Sequence, residues 1–450
     1  MSHPLVEKYG DARLPRYTSY PTTPVFDAEI GEGRYGQWLQ QIAADAKASL
    51  YIHVPFCRAM CWYCGCHTTV SRRDPPVLTY LAAVEREAAL VAGHLRHPLE
   101  VRHIHFGGGT PTVMPPAALR RLMGALIAQF DIGKATELAI EIDPRTLSAE
   151  MAATLGEIGT DRASLGIQSF DRKVQVAINR IQSFEQTELA VQRLRDVGVR
   201  GINFDLIYGL PHETVESCIA TAKAAAALKP DRFAVFGYAH IPSFKKHQRM
   251  IDEAVLPGAE ERNAQAEAIA QTLREAGYVQ IGLDHFALPQ DGMAIAASEG
   301  RLRRNFQGYA AEPYDVLIGL GASSIGTTSS GYVQNEVAHG LYEQRIAANQ
   351  LATVKGYRLT ADDRFRADLI ERVMCDFAVD VGAIAARHGV DPASVLEGNG
   401  RLAALAEDGV VAIAGTRVTV RTDFRFLVRA VAASFDAYID TKARTHSKAA

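Results

Sequence analysis

The sequence has almost no net charge: 48 Lys and Arg stand against 51 Asp and Glu, leaving −3 over 450 residues. A protein that grips nucleic acid or an anionic membrane over a broad face carries a basic excess, so any such contact here is confined to a local patch. Long apolar runs are also missing. The longest uncharged stretch, 316–335, contains four Gly, four Ser and two Thr, and is rejected as a membrane span. The opening Met-Ser-His-Pro soon reaches Glu7, Lys8 and Asp11, without a leader's apolar region or a lipidation motif. We therefore expect a cytoplasmic protein. Cysteine is scarce too: six residues are too few for a disulfide scaffold.

What cysteine there is lies in one place. Cys57, Cys61, Cys64 and Cys66 fall within ten residues, while Cys218 and Cys375 are isolated. Thiols crowded together in a cytosolic chain are metal ligands or redox groups more often than structural disulfides.

From about residue 49 to 282 short apolar runs alternate with longer amphipathic ones, the rhythm of β-α units. Strands are expected at 49–54, 101–106, 137–142, 162–167, 201–207 and 232–238, with a further one at 279–283. Helices are expected at 76–92, 116–130, 183–197 and 214–228. This predicts an α/β fold: a partial parallel barrel of about six units with an N-terminal extension and a smaller, mainly helical C-terminal domain. The expected boundaries are 1–48, 49–340 and 341–450. In the last part Thr360 to Asp363 reads as a capping box for a helix over 363–377. Helices near 381–387 and 393–407, a hairpin of 409–413 with 417–420, and a final helix capped by Thr422 follow.

Barrel chemistry sits at the C-terminal ends of the strands. Those positions hold the cysteine loop, Gly107-Gly108-Gly109-Thr110, Glu141 and Asp143, Gln168, Asp205, and Ala239-His240, so polar groups from six strands converge on one mouth. The cysteine spacing is C-x3-C-x2-C-x-C, in one compact loop leaving a strand. Zinc sites of four thiolates and redox loops using Cys61 and Cys64 are alternative uses of such residues. Three thiolates at C-x3-C-x2-C can instead ligate three irons of a 4Fe-4S cluster and leave the fourth open.

That spacing, with Tyr63 before the third cysteine, resembles the radical S-adenosylmethionine superfamily. Almost the whole chain resembles, more narrowly, the oxygen-independent coproporphyrinogen III oxidase family. The segments that carry this are Pro15 to Pro21, Cys64-Gly65-Cys66, Gly107 to Thr112, Glu141 to Arg145, Asp205 to Pro211 and Asn305 to Tyr309. Related haem-chaperone proteins share the three-cysteine loop and much of the barrel, but differ at Cys66 and lack the long N-terminal segment. A haem chaperone, or a paralogue acting on another tetrapyrrole, is the alternative.

The resemblance implies one 4Fe-4S cluster on Cys57, Cys61 and Cys64, and two molecules of S-adenosylmethionine. It implies contacts to the first from Gly108, Gly109, Thr110 and Ile325, to the second from Gln168, Arg180, Asp205 and Ala239, cofactor contacts from Tyr51 and Tyr63 beside the cluster, and a place near both molecules for Glu141. Each has a plainer reading as well: a tight turn for the glycines, core aromatics for the tyrosines, a surface charge for Arg180. Cys66 is expected to act near the substrate, with simple packing as the alternative. The implied substrate is coproporphyrinogen III, two of whose four propionates become vinyl groups, and a low-potential flavodoxin or ferredoxin is the implied electron donor. No nucleic acid and no membrane span are expected, and the chain is expected to be a monomer. Arg13, Arg16, Arg303 and Arg304 are candidates for the substrate carboxylates. His53 and His240 are left without a role, since hydrogen abstraction by a carbon radical needs no general base. A nucleic-acid reading of the C-terminal hairpin is opposed by the acidic residues interleaved with Arg421, Arg425 and Arg429.

Overall fold

The computed structural model describes residues 5, 8, 9, 14–306 and 308–440. Six parallel strands form its centre: β1 (Lys47–Val54), β2 (Glu100–Gly108), β3 (Asp131–Ile142), β4 (Arg162–Gln168), β5 (Gly201–Tyr208) and β6 (Arg232–Gly237). Their two-residue period decides what each face does. On β1, Ala48, Leu50, Ile52 and Val54 are fully buried, whereas Ser49, Tyr51 and His53 face a central cavity. The same split recurs on β3, where Leu138, Ile140 and Ile142 are buried and Glu137 and Glu141 face inward. On β5, Phe204 and Leu206 are buried while Asn203 and Asp205 line the cavity. The apolar residues pack outward under helices such as Asp74–His94, Pro116–Gln129, Phe184–Asp196 and Val215–Ala227.

The barrel is open. The stretch rejected as a membrane span is three strands, Val316–Leu320, Ile325–Thr328 and Gly331–Asn335. The first lies parallel beside β1; the others run antiparallel and lead to an edge strand, Thr353–Arg358. At the other side the expected strand at 279–283 is shorter, Val279–Ile281, and is not a further parallel unit. It pairs antiparallel with His285–Ala287, which in turn lies antiparallel to β6. Among the described residues no helix is long and apolar enough to cross a membrane.

Glu87, on the helix Asp74–His94, is 2% exposed and ties three elements together. Its carboxylate accepts from Gly321 N at 2.6 Å, Asn335 Nδ2 at 2.6 Å and Tyr342 OH at 2.7 Å. Two turns away, Tyr80 OH donates to His53 O and accepts from Ala322 N, both at 2.8 Å.

A second apolar core gathers around Phe365, Leu369, Val373, Val428 and Phe435, and it takes in Leu14, Tyr17 and Tyr20 from the N-terminal segment. Here the Thr360–Asp363 capping box forms as expected, at the start of Ala361–Asp376. The expected helix 393–407 is broken into Ala393–Leu396 and Gly400–Glu407, with Gly398 at φ 69° between them. The hairpin Val411–Ala414 with Arg417–Val420 gains a third strand, Ala378–Asp380. Thr422 does not cap the final helix: it opens a 3-10 turn, and the helix is Val428–Ala433.

Candidate functional site

The cysteine loop leaves β1 and is pinned at its base, where Phe56–Cys57 pairs with Thr69–Val70. Trp62 and Tyr63 anchor its middle by packing on Val174, Ile178, Leu210 and Tyr238. Polar partners then fix its backbone from both sides. Trp62 N donates to Ile178 O at 2.9 Å and Asn179 Nδ2 to Met60 O at 2.8 Å. A short turn, Lys246–Met250, supplies the rest. His247 Nε2 donates to Cys64 O at 2.7 Å, Lys245 Nζ to Cys66 O at 2.9 Å, and buried Gln248 to both Tyr63 O at 3.0 Å and Ala239 O at 3.2 Å.

The four thiols have different surroundings. Cys57 Sγ lies 3.4 Å from the hydroxyls of both Thr110 and Thr68. Cys61 is buried beneath two guanidinium groups, Arg180 Nη1 at 3.6 Å and Arg145 Nη2 at 3.7 Å. Cys64 is brought down to about 6, by its hydrogen bond with Cys66 and by the nearby His247 and Lys245, against the effect of burial. Cys66 is the exposed one. Cations beside thiols stabilise the thiolate form that metal binding needs. Among the described residues no three His, Cys, Asp or Glu side chains converge tightly enough for one metal ion. Three thiolates carried by one loop can each take one iron of a cluster and leave a fourth iron open. The donor set fits an iron–sulfur cluster.

Next to the loop, the glycine run at the end of β2 is shaped by what passes close to it. A Cβ on Gly107 would lie 2.8 Å from Glu141 Oε1, one on Gly108 (φ 114°) 2.7 Å from the His53 ring, and one on Gly109 2.5 Å from Phe56 O. Glu141 accepts from Gly108 N at 3.1 Å and from His105 Nε2 at 3.3 Å. His53 Nε2 donates to His67 O at 3.1 Å, so Nδ1 is the acceptor for Tyr51 OH at 2.9 Å. Burial lowers the His53 pKa and keeps the ring neutral. The structure thus brings Tyr51, Gly108, Gly109, Thr110 and Glu141 together beside Cys57, with Ile325 on the same cavity wall. It also finds work for His53, which the sequence reading leaves idle. His240 is engaged elsewhere, with Tyr238 OH at 2.8 Å and Glu253 at 3.0 Å.

The second group gathers on the far side of the loop. Arg180 is not a solvated surface charge: it is 6% exposed, in the turn after Asn179, and donates to Gly166 O at 2.5 Å and toward Asp143 at 3.4 Å. Burial would raise Asp143, but Arg180 and Arg145 outweigh it and hold the carboxyl below its ordinary value. Gln168 sits at φ 68°, where β4 shifts register. Gln168 Oε1 and Arg180 Nε are both buried without a hydrogen-bond partner. Buried polar atoms are rarely left so, and a polar ligand bound between them would satisfy both. Asp205 accepts from Asn203 Nδ2 at 2.8 Å and Ser164 Oγ at 3.1 Å; burial, helped by Glu141, pushes it up to about 6. Ala239 is placed by Gln248. Tyr63 lies near Arg180 as well as in the loop.

Beneath both groups opens a cavity of about 850 Å³, lined among others by Tyr51, Glu141, Asp205, Phe236, His285 and Ile325. Arg145 and Gln248 were missed as site residues, and Asp143, placed at the mouth, was given no role. Asp143 and Arg145 lie in the Glu141–Arg145 motif and could have been paired by charge, whereas nothing local marks Gln248.

Residues 51–225 match the family model of the Radical SAM superfamily. The chain is 57% identical over 445 residues, 99% of each protein, to the oxygen-independent coproporphyrinogen III oxidase of Bradyrhizobium diazoefficiens. It is 38% identical to the enzyme of that name from Escherichia coli, over 98% of this chain and 96% of that one. The solved structure of Escherichia coli coproporphyrinogen III oxidase, described as a radical SAM enzyme, superposes with a TM-score of 0.90 at 36% identity, covering 95% of this chain and all of that one.

Proposed function

From the chain's membership of the oxygen-independent coproporphyrinogen III oxidase family of radical SAM enzymes, we infer that the mouth described above is its active site. The reaction is the oxidative decarboxylation of two propionates of coproporphyrinogen III to vinyl groups, giving protoporphyrinogen IX for haem synthesis. Its cofactors are one 4Fe-4S cluster and two molecules of S-adenosylmethionine. When bound, they supply one-electron reduction and the 5′-deoxyadenosyl radical that takes hydrogen from the substrate. Each propionate gives up a β-hydrogen atom, carbon dioxide and one electron, the last to an acceptor outside the chain.

This chain's own residues hold and orient. Cys57, Cys61 and Cys64 would bind three irons, with Arg145 and Arg180 offsetting negative charge at Cys61. Tyr51, Gly108, Gly109, Thr110, Glu141 and Ile325 would cradle the first S-adenosylmethionine, and Gln168, Arg180, Asp205 and Ala239 the second, with Tyr63 between the two. Glu141, already an acceptor from Gly108 N, is placed to take an ammonium or hydroxyl. Arg180 Nε and Gln168 Oε1 offer an unused donor and acceptor. Cys66, exposed above the loop, is free to meet substrate.

The observation that carries this reading is the meeting at the thiol loop of Thr110 beside Cys57 and of Arg145 and Arg180 beside Cys61, which sets the glycine cradle and the Gln168–Arg180 pair around the loop, with Tyr51, Glu141 and Asp205 on the wall of the cavity. The second core with the three-stranded hairpin supports treating 341–450 as a separate unit, and residues 14–20, spanning from that core to the barrel, as part of the wall. We further propose a cytoplasmic monomer reduced by a low-potential flavodoxin or ferredoxin. The test is an anaerobic assay of the iron-reconstituted protein with reductant, S-adenosylmethionine and coproporphyrinogen III. Protoporphyrinogen formed in step with 5′-deoxyadenosine is expected; cleavage of S-adenosylmethionine with the tetrapyrrole untouched would overturn the substrate.

A further inference from the structure

Of the four arginines singled out for the substrate carboxylates, Arg13 lies outside the described residues and Arg303 faces Glu371 at 3.2 Å. The other two are brought together against residues of the cavity wall, on the β6 side. Arg16 is exposed, and its guanidinium lies 5.9 Å from the centroid of Phe236, a cavity wall. Arg304 lies 4.4 Å over the ring of Tyr309, another wall, and donates to Tyr17 O at 3.2 Å and Arg16 O at 3.0 Å. Its Nη1 is buried and has no partner. A third guanidinium, Arg429 from the second core, donates to Pro15 O and Leu14 O and holds the segment that carries Arg16 in place. Arg429 is held at about 10, first by burial, then by the charges of Arg16 and Arg304. The carboxylate that acts on Arg16 and Arg304 here is Asp284, which already accepts from His285 Nδ1 at 2.7 Å.

We propose that Arg16 and Arg304, steadied by Arg429, bind a propionate of the tetrapyrrole that the reaction leaves in place. This rests on the substrate assigned above. Asp284 is one carboxylate, shared with His285, for the two guanidinium groups of Arg16 and Arg304, and an unspent guanidinium donor is suited to a further carboxylate. The place matters as much as the charge. The thiol loop and the Gly107–Glu141 cradle belong to β1, β2 and β3, whereas the arginines flank β6 across the open barrel. A macrocycle spanning the mouth puts one side chain at the radical-forming end and the opposite carboxylate here. Because that carboxylate is unchanged by the reaction, the contact binds substrate and product alike, and its loss is felt in KM rather than in the chemical step.

The test uses coproporphyrin III, the oxidised and unreactive form of the substrate, and its tetramethyl ester, titrated by fluorescence against the cluster-loaded protein. Arg16→Gln is the clean variant, since among the described residues this exposed side chain holds no backbone group; Arg304→Gln is the second, and Arg303→Gln the control. Wild type is expected to prefer the free acid. Arg16→Gln and Arg304→Gln are expected to weaken free-acid binding roughly tenfold or more and the ester little, with KM for coproporphyrinogen III rising in parallel, while the control is unchanged. Free-acid affinity within about twofold of wild type in both variants, or equal binding of acid and ester by wild type, would overturn the proposal. Wild-type turnover of coproporphyrinogen III in the same preparation separates that result from a wrong substrate.

Discussion

Cys61 is where the charges of the site are most concentrated. Its sulfur is buried, and Arg145 and Arg180 reach it from two different loops. Replacing it with Ala is expected to abolish cluster binding, read as loss of iron, sulfide and the near-400 nm absorbance; a full complement of iron with normal turnover would remove the assignment. Cys66→Ser, by contrast, is expected to keep the cluster and S-adenosylmethionine cleavage but to impair vinyl formation, measured as 5′-deoxyadenosine released without product. Unchanged product would mean that Cys66 only packs. The spacing of the thiols was readable from the sequence because one loop carries them all. The burial of Arg180 was not. It depends on Asn179 in a left-handed turn and on Asp143 arriving from another strand, neither of which leaves a local mark.

At the scale of elements, the six parallel strands were legible because alternation is strict: one face must be apolar to pack under helices, and the other carries polar groups into the cavity. Strands such as 303–305 and 308–310 were not, since three residues are too few to show a period and their pairing is set by distant chain. The turn 246–250 is a case in point. Gln248 joins the cysteine loop to Ala239, and Gln248→Ala would leave two carbonyls and the Ile241 N–H without this partner. The expected cost is about 1–3 kcal/mol for each buried group, measured by urea denaturation, together with faster loss of the reconstituted cluster. Glu87 makes a different prediction. Burial pushes it up to about 7 while its three donors pull the other way. The unfolded chain releases this proton near 4.5 and the folded one near 7, so between those values the folded state holds the extra proton. Stability therefore falls as pH rises through that window. Glu87→Gln is expected to flatten that part of the pH–Tm profile of the cluster-free protein between about pH 5 and 7.5; an unaltered slope would place the titration elsewhere.

Across the whole molecule, the second core takes in a segment that lies, along the chain, ahead of the first core. Leu14, Tyr17 and Tyr20 lie in the second core although the barrel separates them from it along the chain, and Tyr17 OH donates to Asp436 at 3.0 Å. Tyr17→Ala removes a buried ring and a buried partner together. A destabilisation of about 3–5 kcal/mol is expected, seen in the urea transition of the second core, with iron content per folded protein unchanged. The general plan of barrel plus helical part could be read from periodicity. The return of the first residues to the last could not, because hydrophobic pattern says what is buried and not against what.

That return also sets a timetable. A chain is made from its N-terminus and folds as its parts emerge, and the cysteine loop has all its backbone partners once Gln248 has been synthesised. Phe236 and Arg304, which meet Arg16, come later, and Arg429 and Asp436, which hold Leu14, Pro15 and Tyr17, come last. Until they appear, the segment that carries Arg16 lacks its hold on the second core. The segment that carries Arg16 is thus made among the first and fixed among the last.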